Sequence, residues 1–166
     1  QGSNLYDFDN EIMLKWYPKR IIELSSSAKT VLELGLGHGF STTIFSNYFA
    51  EYLVLDGSKS IIENFKLKHP HLNVEITETY FENFDTSKKY DVIVLGFILE
   101  HVDNPLEILN KYKKFLSPNG KMYIAVPNAE AMNRRLGVLS GLLENLTKLS
   151  ENDFLLGHQR YYSVQT

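Results

Sequence analysis

The chain has 166 residues, enough for one domain, and its 43% hydrophobic and 22% charged residues are ordinary for a globular fold. A formal net charge of −3 argues against a dedicated nucleic-acid binder, which carries a basic excess. The lack of cysteine excludes disulfides, a zinc-thiolate site and a thiol nucleophile, and leaves the cytoplasm as the expected location. No apolar run is long enough to span a bilayer and no signal peptide is read, so stable membrane insertion is not expected.

Gln1-Gly2-Ser3 reads as the remnant of a cleaved tag. Residues 4–29 form an expected N-terminal helical cap. Its apolar positions Ile12, Trp16, Ile21, Ile22 and Leu24 predict helix on either side of Pro18, with a second helix able to begin at the proline. Tyr6 and Tyr17 are candidates to close over a ligand or simply to pack. The central stretch follows, Val31-Leu32-Glu33-Leu34-Gly35-Leu36-Gly37-His38-Gly39. An aliphatic run ending in three alternating glycines predicts a buried strand, Thr30–Leu34, that turns sharply into a helix over about Phe40–Phe49. Glycine lets the backbone turn tightly and lets a ligand approach it, and the helix start offers unpaired N–H groups.

Tyr52–Leu55 reads as the second strand, ending at Asp56-Gly57-Ser58. Ser60-Ile61-Ile62-Glu63 has the form of a capping box opening a helix to about Lys68, which His69-Pro70-His71 stops. Asn73–Thr77 is a short third strand. Asp91–Leu95 is a fourth, buried on both faces by its lack of alternation. Asn104-Pro105-Leu106-Glu107 is a helix start with Asn as cap and Pro at the first position. Ser117–Gly120 is a turn by residue type, and Lys121–Val126 is a fifth strand. Strands and helices alternate, so the fold class is α/β: a Rossmann-like parallel sheet with helices on both faces. The strand ends then gather the ligand-binding loops on one edge.

A dinucleotide site has the fingerprint G-x-G-x-x-G. Counting from Gly35 and Gly37, its third glycine falls at position 40, which is Phe40. The pattern E-x-G-x-G-x-G from Glu33 to Gly39 instead resembles motif I of the class I S-adenosylmethionine (SAM)-dependent methyltransferases. Tyr90-Asp91, the "LEHV" of Leu99-Glu100-His101-Val102 completed by Asp103-Asn104-Pro105, and Leu116–Gly120 resemble the family's later motifs in order and spacing. The resemblance covers about residues 28–128, within an expected SAM-binding core at 30–128.

Several roles are implied by that resemblance. Gly35, Gly37 and Gly39 would cradle the cofactor, and Glu33 would orient the loop and the cofactor ammonium. Asp56, 23 residues after Glu33 and followed by Gly57, would accept hydrogen bonds from the ribose diol; the rival reading is that Asp56 only caps a turn with Gly57. Tyr80 and Phe81 would flank the adenine, where the family reads the base edge with a side chain and a backbone N–H, although the family often has Asp where Tyr80 stands; the rival reading is that the aromatics here simply stack or pack. Gly96 and Phe97 would lie beside the methionyl end. His101 and His158 are the candidates for a catalytic base, with helix-start packing as the rival role for His101. No metal ligand set is assigned.

Past Asn128 the character changes, and 129–166 is read as a lid or acceptor segment. Leucines at 136, 139, 142, 143, 146 and 149 make a helical stripe interrupted by Gly137 and Gly141. A lid packed on the domain is favoured over an amphipathic face for membranes or lipid acceptors. Gly157-His158-Gln159-Arg160-Tyr161-Tyr162 resembles a subgroup acting on small molecules and on sugars or polysaccharide precursors. There Arg160 would pair with a phosphate or carboxylate and Tyr161 would line the pocket; the equal alternative is that these residues anchor the lid to the sheet. The family's C-terminal antiparallel strands are not found before Thr166, which predicts a shortened domain end with strand 5 as a bare edge, open to association with a second copy. The expected activity is methyl transfer from SAM, giving S-adenosylhomocysteine (SAH), to a small-molecule acceptor; the alternative is a non-catalytic SAM-binding regulatory domain.

Overall fold

The computed structural model describes residues 7–165. The tag remnant read at Gln1–Ser3, the candidate Tyr6 and the terminal Thr166 lie outside the described residues. Five strands form one parallel sheet: β1 (Thr30–Leu34), β2 (Glu51–Asp56), β3 (Glu75–Glu78), β4 (Tyr90–Gly96) and β5 (Leu116–Ala125), in the order β3-β2-β1-β4-β5. The strand order reverses at β1, so the crevice over the C-terminal ends of β1 and β4 is the topological switch point where such sheets bind ligands.

Alternation along the strands divides the core. Leu32, Leu34, Leu53, Leu55, Ile93 and Leu95 point to one face, where Ile108, Tyr112 and Phe115 cover them. The covering helix is α4 (Pro105–Lys113), capped as its sequence demands: the Asn104 side chain accepts from the Glu107 N–H and Pro105 opens the first turn. On the other face Val31, Val92 and Val94 meet Ile21 of α1 (Asp7–Leu24) and Phe45 of α2 (Phe40–Phe45). Val54 on that face packs with Ile62 and Phe65 of α3 (Lys59–Lys68). Helices therefore cover both faces, as expected. No described helix is long and apolar enough to cross a membrane.

Four local expectations are corrected. Helix α1 runs unbroken through Pro18; burial of Ile21 in the sheet-facing cluster outweighs the hydrogen bond that proline removes. Helix α2 ends at Phe45 rather than Phe49 and continues only as a turn. Ser60 is not a cap, because α3 begins at Lys59 with Ser58 in that place and without a side-chain cap bond. The turn at Ser117–Gly120 lies inside β5 as a register irregularity: Tyr90 pairs with Leu116, yet Val92 pairs with Lys121.

Beyond β5 lie α5 (Met132–Leu139) and α6 (Glu151–Leu155). The predicted leucine stripe is not one helix. Gly141 adopts φ 76°, and the N–H groups of Leu142 and Gly141 donate to the carbonyls of Gly137 and Val138. This is a Schellman turn, which ends α5 and leaves Leu139 and Leu142 exposed. The segment returns to the sheet at Tyr162, which bridges to Asn128.

Candidate active site

The C-terminal edge of the sheet gathers most of the residues singled out above. Gly35, Gly37 and Gly39 all have positive φ (81°, 50° and 76°), a region that disfavours side chains. Their surroundings differ. A Cβ on Gly35 would lie 2.3 Å from Ile98 Cδ1, and one on Gly39 would lie 2.5 Å from the Phe65 ring. A Cβ on Gly37 would meet nothing within 4 Å. The outer glycines serve packing, and the middle one faces open space where a ligand can reach the backbone.

Asp56 stands at the end of β2 and is 7% exposed. Its Oδ2 accepts from Leu36 N–H at 2.8 Å and its Oδ1 from Ser58 N–H at 2.8 Å. The carboxylate thus braces the glycine loop and caps its own turn. Each oxygen keeps a further lone pair for a diol. Beside it, a Cβ on Gly57 would come within 3.1 Å of the exposed Tyr80 ring, so Gly57 lets that ring stand against the turn. The Phe81 side chain packs against the hydrophobic core, and its carbonyl accepts from Tyr112 Oη–H at 3.0 Å.

Glu33 is 1% exposed and points under α2. Thr42 Oγ1 donates to it at 3.2 Å and Tyr52 donates through its phenol. Burial pushes its carboxyl up to about 7, against the opposing hydrogen bonds of Ser41, Tyr52 and Thr42. It ties β1, β2 and the start of α2 together beneath the loop. Burial, followed by the Glu33 charge, pushes the Tyr17 phenol well above its usual range. A Cβ on Gly96 would fall 2.5 Å from the Tyr17 hydroxyl. Phe97 takes φ 58°, uncommon for a bulky residue, and its ring meets Tyr17 edge-on at 6.0 Å. Tyr17, Gly96 and Phe97 therefore pack together at the C-terminal end of β4.

The turn after β4 carries Glu100 and His101. Among the described residues, Glu100 has both carboxylate oxygens buried without a hydrogen-bond partner, and burial pushes its carboxyl up to about 7. The rings of His101 and His158 meet at 4.8 Å. His101 Nδ1 lies 3.3 Å from the Gly157 carbonyl and His158 Nδ1 lies 3.2 Å from Asp153 Oδ1. Burial, then the neighbouring His158, lowers the His101 pKa.

Asp153 is not among the residues singled out by sequence, although Ser150-x-x-Asp153 is a capping-box signal. It accepts from the backbone and hydroxyl of Ser150 and from Tyr161 Oη–H at 2.9 Å. Burial raises its pKa, and these bonds with the His158 charge outweigh that and lower it. Gly157, at φ 77°, folds the chain back so that His158 N–H donates to the Asp153 carbonyl. Arg134, 7% exposed, donates to the carbonyls of Leu146 and Lys148 and lies 3.8 Å over the Tyr161 ring. Arg160 does not reach out to an anion. Its guanidinium donates to the carbonyls of Leu99, Val102 and Asp103, anchoring the lid on the "LEHV" turn.

A family model described as a methyltransferase domain matches residues 10–166. The chain belongs to the methyltransferase domain family. Relatives of this methyltransferase domain include a ubiquinone biosynthesis O-methyltransferase of Pelagibacter ubique, 30% identical over 75% of this chain and 55% of that protein. The mitochondrial enzyme of that name from Dictyostelium discoideum is 27% identical over 69% of this chain and 41% of its own length. The chain spans about two fifths of the length of the first curated relatives it matches. Among solved structures, the N-methyltransferase NodS from Bradyrhizobium japonicum WM9, in complex with SAH, superposes with a TM-score of 0.64 at 19% identity. The match covers 81% of this chain and 68% of that one, and it shows the shared Rossmann-like fold.

Proposed function

We propose that the domain binds SAM across the β1–β4 crevice and directs its methyl group to a hydroxyl of a small-molecule acceptor, sugars among them. The observation that supports this is the open space at Gly37, where a Cβ would meet nothing within 4 Å, in a glycine loop braced by Asp56 through the Leu36 N–H. The names of the relatives as methyltransferases, and the SAH in the neighbouring structure, support the cofactor. When bound, SAM supplies a sulfonium methyl that is already electrophilic.

The chain's own residues then bind and position. Gly37 lets the methionyl portion approach the backbone, the remaining lone pairs of Asp56 take the ribose diol, and the Tyr80 ring lines the base. Holding reactants in near-attack geometry supplies about 7–11 kcal/mol of such a displacement. A hydroxyl acceptor also gains from a base worth about 10²–10⁴-fold. His158 fits that role: its Nδ1 is held 3.2 Å from Asp153 Oδ1, which leaves Nε2 as the nitrogen that would take the hydroxyl proton. The alternative, a binding-only domain, draws on the lid contacts, since Gln159, Arg160 and Tyr162 all fasten the segment onto the 99–103 turn.

Calorimetric titration with SAM and with NAD tests the reading. SAM is expected to bind and NAD not to. Gly37→Asn, a residue that tolerates positive φ, is expected to weaken SAM at least 100-fold without loss of fold. A folded wild-type chain that binds NAD, or that ignores SAM, overturns it.

A further inference from the structure

Glu100 is fully buried, and neither of its carboxylate oxygens accepts a hydrogen bond. Buried carboxylates are otherwise paired, bonded or bound to metal. Two imidazoles adjoin it, and each holds its Nδ1 against a partner. A carbonyl only accepts, so His101 Nδ1 carries the hydrogen that it donates to Gly157. Asp153 is a carboxylate braced by Ser150 and Tyr161, so His158 Nδ1 likewise donates. In both rings Nε2 is the nitrogen left for a further ligand. One donor atom from each of Glu100, His101 and His158 lies within 4.8 Å of the others.

We infer that Glu100, His101 and His158 form a divalent-metal site of the zinc class. Two imidazoles and one carboxylate suit zinc, cobalt, nickel or ferrous iron, whereas magnesium and calcium prefer an all-oxygen shell. Three protein ligands leave a fourth position for water or an acceptor oxygen. Asp153 supplies the outer shell, since a metal-bound imidazole commonly donates its other N–H to a carboxylate, and the Gly157 carbonyl does the same for His101. Ligation at about 2.0–2.2 Å requires the three groups to draw together by about 1 Å from that 4.8 Å span. The rings come from separate segments, the turn after β4 and the Gly157 turn of the lid, so an ion would pin the lid to the sheet edge. It would also occupy the Nε2 that serves as base in the bare cluster, activating an acceptor hydroxyl by polarising it instead.

The test needs no SAM, so it stands apart from the cofactor reading. Cobalt(II) is titrated into the metal-free chain while its visible absorption is followed, and zinc binding is measured by calorimetry. The expected result is one ion per chain with the absorption of four-coordinate cobalt. Affinity is expected to fall at least 100-fold in Glu100→Gln and in His158→Ala, and 10–100-fold in Asp153→Asn. The His69→Ala/His71→Ala double variant is expected to bind unchanged, although those two rings also adjoin at 6.2 Å. Glu100→Gln preserves shape, so it decides the matter if His158→Ala does not fold. No cobalt bound by the wild type, binding that survives Glu100→Gln, or binding that disappears with His69 and His71 each overturns the site.

Discussion

The glycine loop and the 129–165 segment meet over the same sheet edge, yet different forces hold them there. The loop hangs from β1 and β2, whose Leu32, Leu34 and Leu55 are completely buried. Its shape is set by three positive-φ glycines and by two buried acids that brace it from beneath. The lid leaves Leu139, Leu142 and Leu155 more than 80% exposed, and its order comes from two polar centres, Arg134 and Asp153. Hydrophobic burial ties the loop to the global fold. A segment held by a handful of hydrogen bonds, with few buried apolar contacts, is expected to open with a smaller free energy than the loop.

The largest effect is expected on the loop side. Gly39→Val forces a β-branched residue into positive φ and into the Phe65 ring. The left-handed backbone costs about 1–2 kcal/mol and overpacking about 1–3 kcal/mol more. Urea denaturation is expected to show a loss of about 2–5 kcal/mol; a loss below about 1 kcal/mol would mean that the loop is not coupled to the core. Arg134→Met is the matching test of the lid. It removes two hydrogen bonds from a charged donor, worth about 1.5–3 kcal/mol each, and the contact with Tyr161. Hydrogen exchange in 129–165 is expected to accelerate at least tenfold while amides of β1 and β4 stay protected. Equal acceleration in both regions would erase the distinction drawn between them.

That distinction also explains which features are legible in the sequence. The strands around Val31–Leu34 and Val92–Leu95, the glycine loop and the Asn104-Pro105 helix start are written in local pattern, because hydrophobic runs, glycine and caps act through neighbours in sequence. The β1 boundaries match residue for residue. The lid's leucine stripe misleads, because Gly141 terminates α5 through backbone geometry, and because Arg134 replaces apolar packing with bonds to carbonyls 12 and 14 residues away. Glu100 is visible as a motif letter, but its lack of a partner is a property of three-dimensional packing. So is the diversion of Arg160 to backbone carbonyls.

Glu33 sharpens the comparison through pH. Burial raises its carboxyl from the ordinary 4.5 to about 7 in the folded chain. Between those values the folded chain keeps a proton that the unfolded chain releases, so this residue's contribution to stability falls as pH rises through that window and levels off above it. Glu33→Gln keeps an oxygen for Thr42 and Tyr52 and carries no charge. It is expected to match the wild type near pH 4.5 and to exceed it by about 1–3 kcal/mol at pH 8, since a tenfold change in proton affinity corresponds to about 1.4 kcal/mol. Denaturation midpoints across pH 4–8 give the answer. Parallel curves would mean that Glu33 is ionised throughout and belongs to a more hydrated loop than the one described.

The smallest effect is expected at the lid's second Schellman turn. Gly157→Ala places a methyl 3.7 Å from His101 Nδ1, an ordinary contact, so sterics contribute nothing. What remains is the cost of φ 77° for a residue with a Cβ, about 1 kcal/mol. If the 129–165 segment opens independently of the sheet, that cost is expected in hydrogen exchange of residues 150–162 and not in the global midpoint. The same turn folds His158 back onto Asp153, so the ring should lose its fixed Nδ1–H partner in the same proportion as the turn opens. The NMR shift of the His158 imidazole protons, followed beside the exchange rates, distinguishes a turn that merely links α6 to the sheet from one that aims a nitrogen.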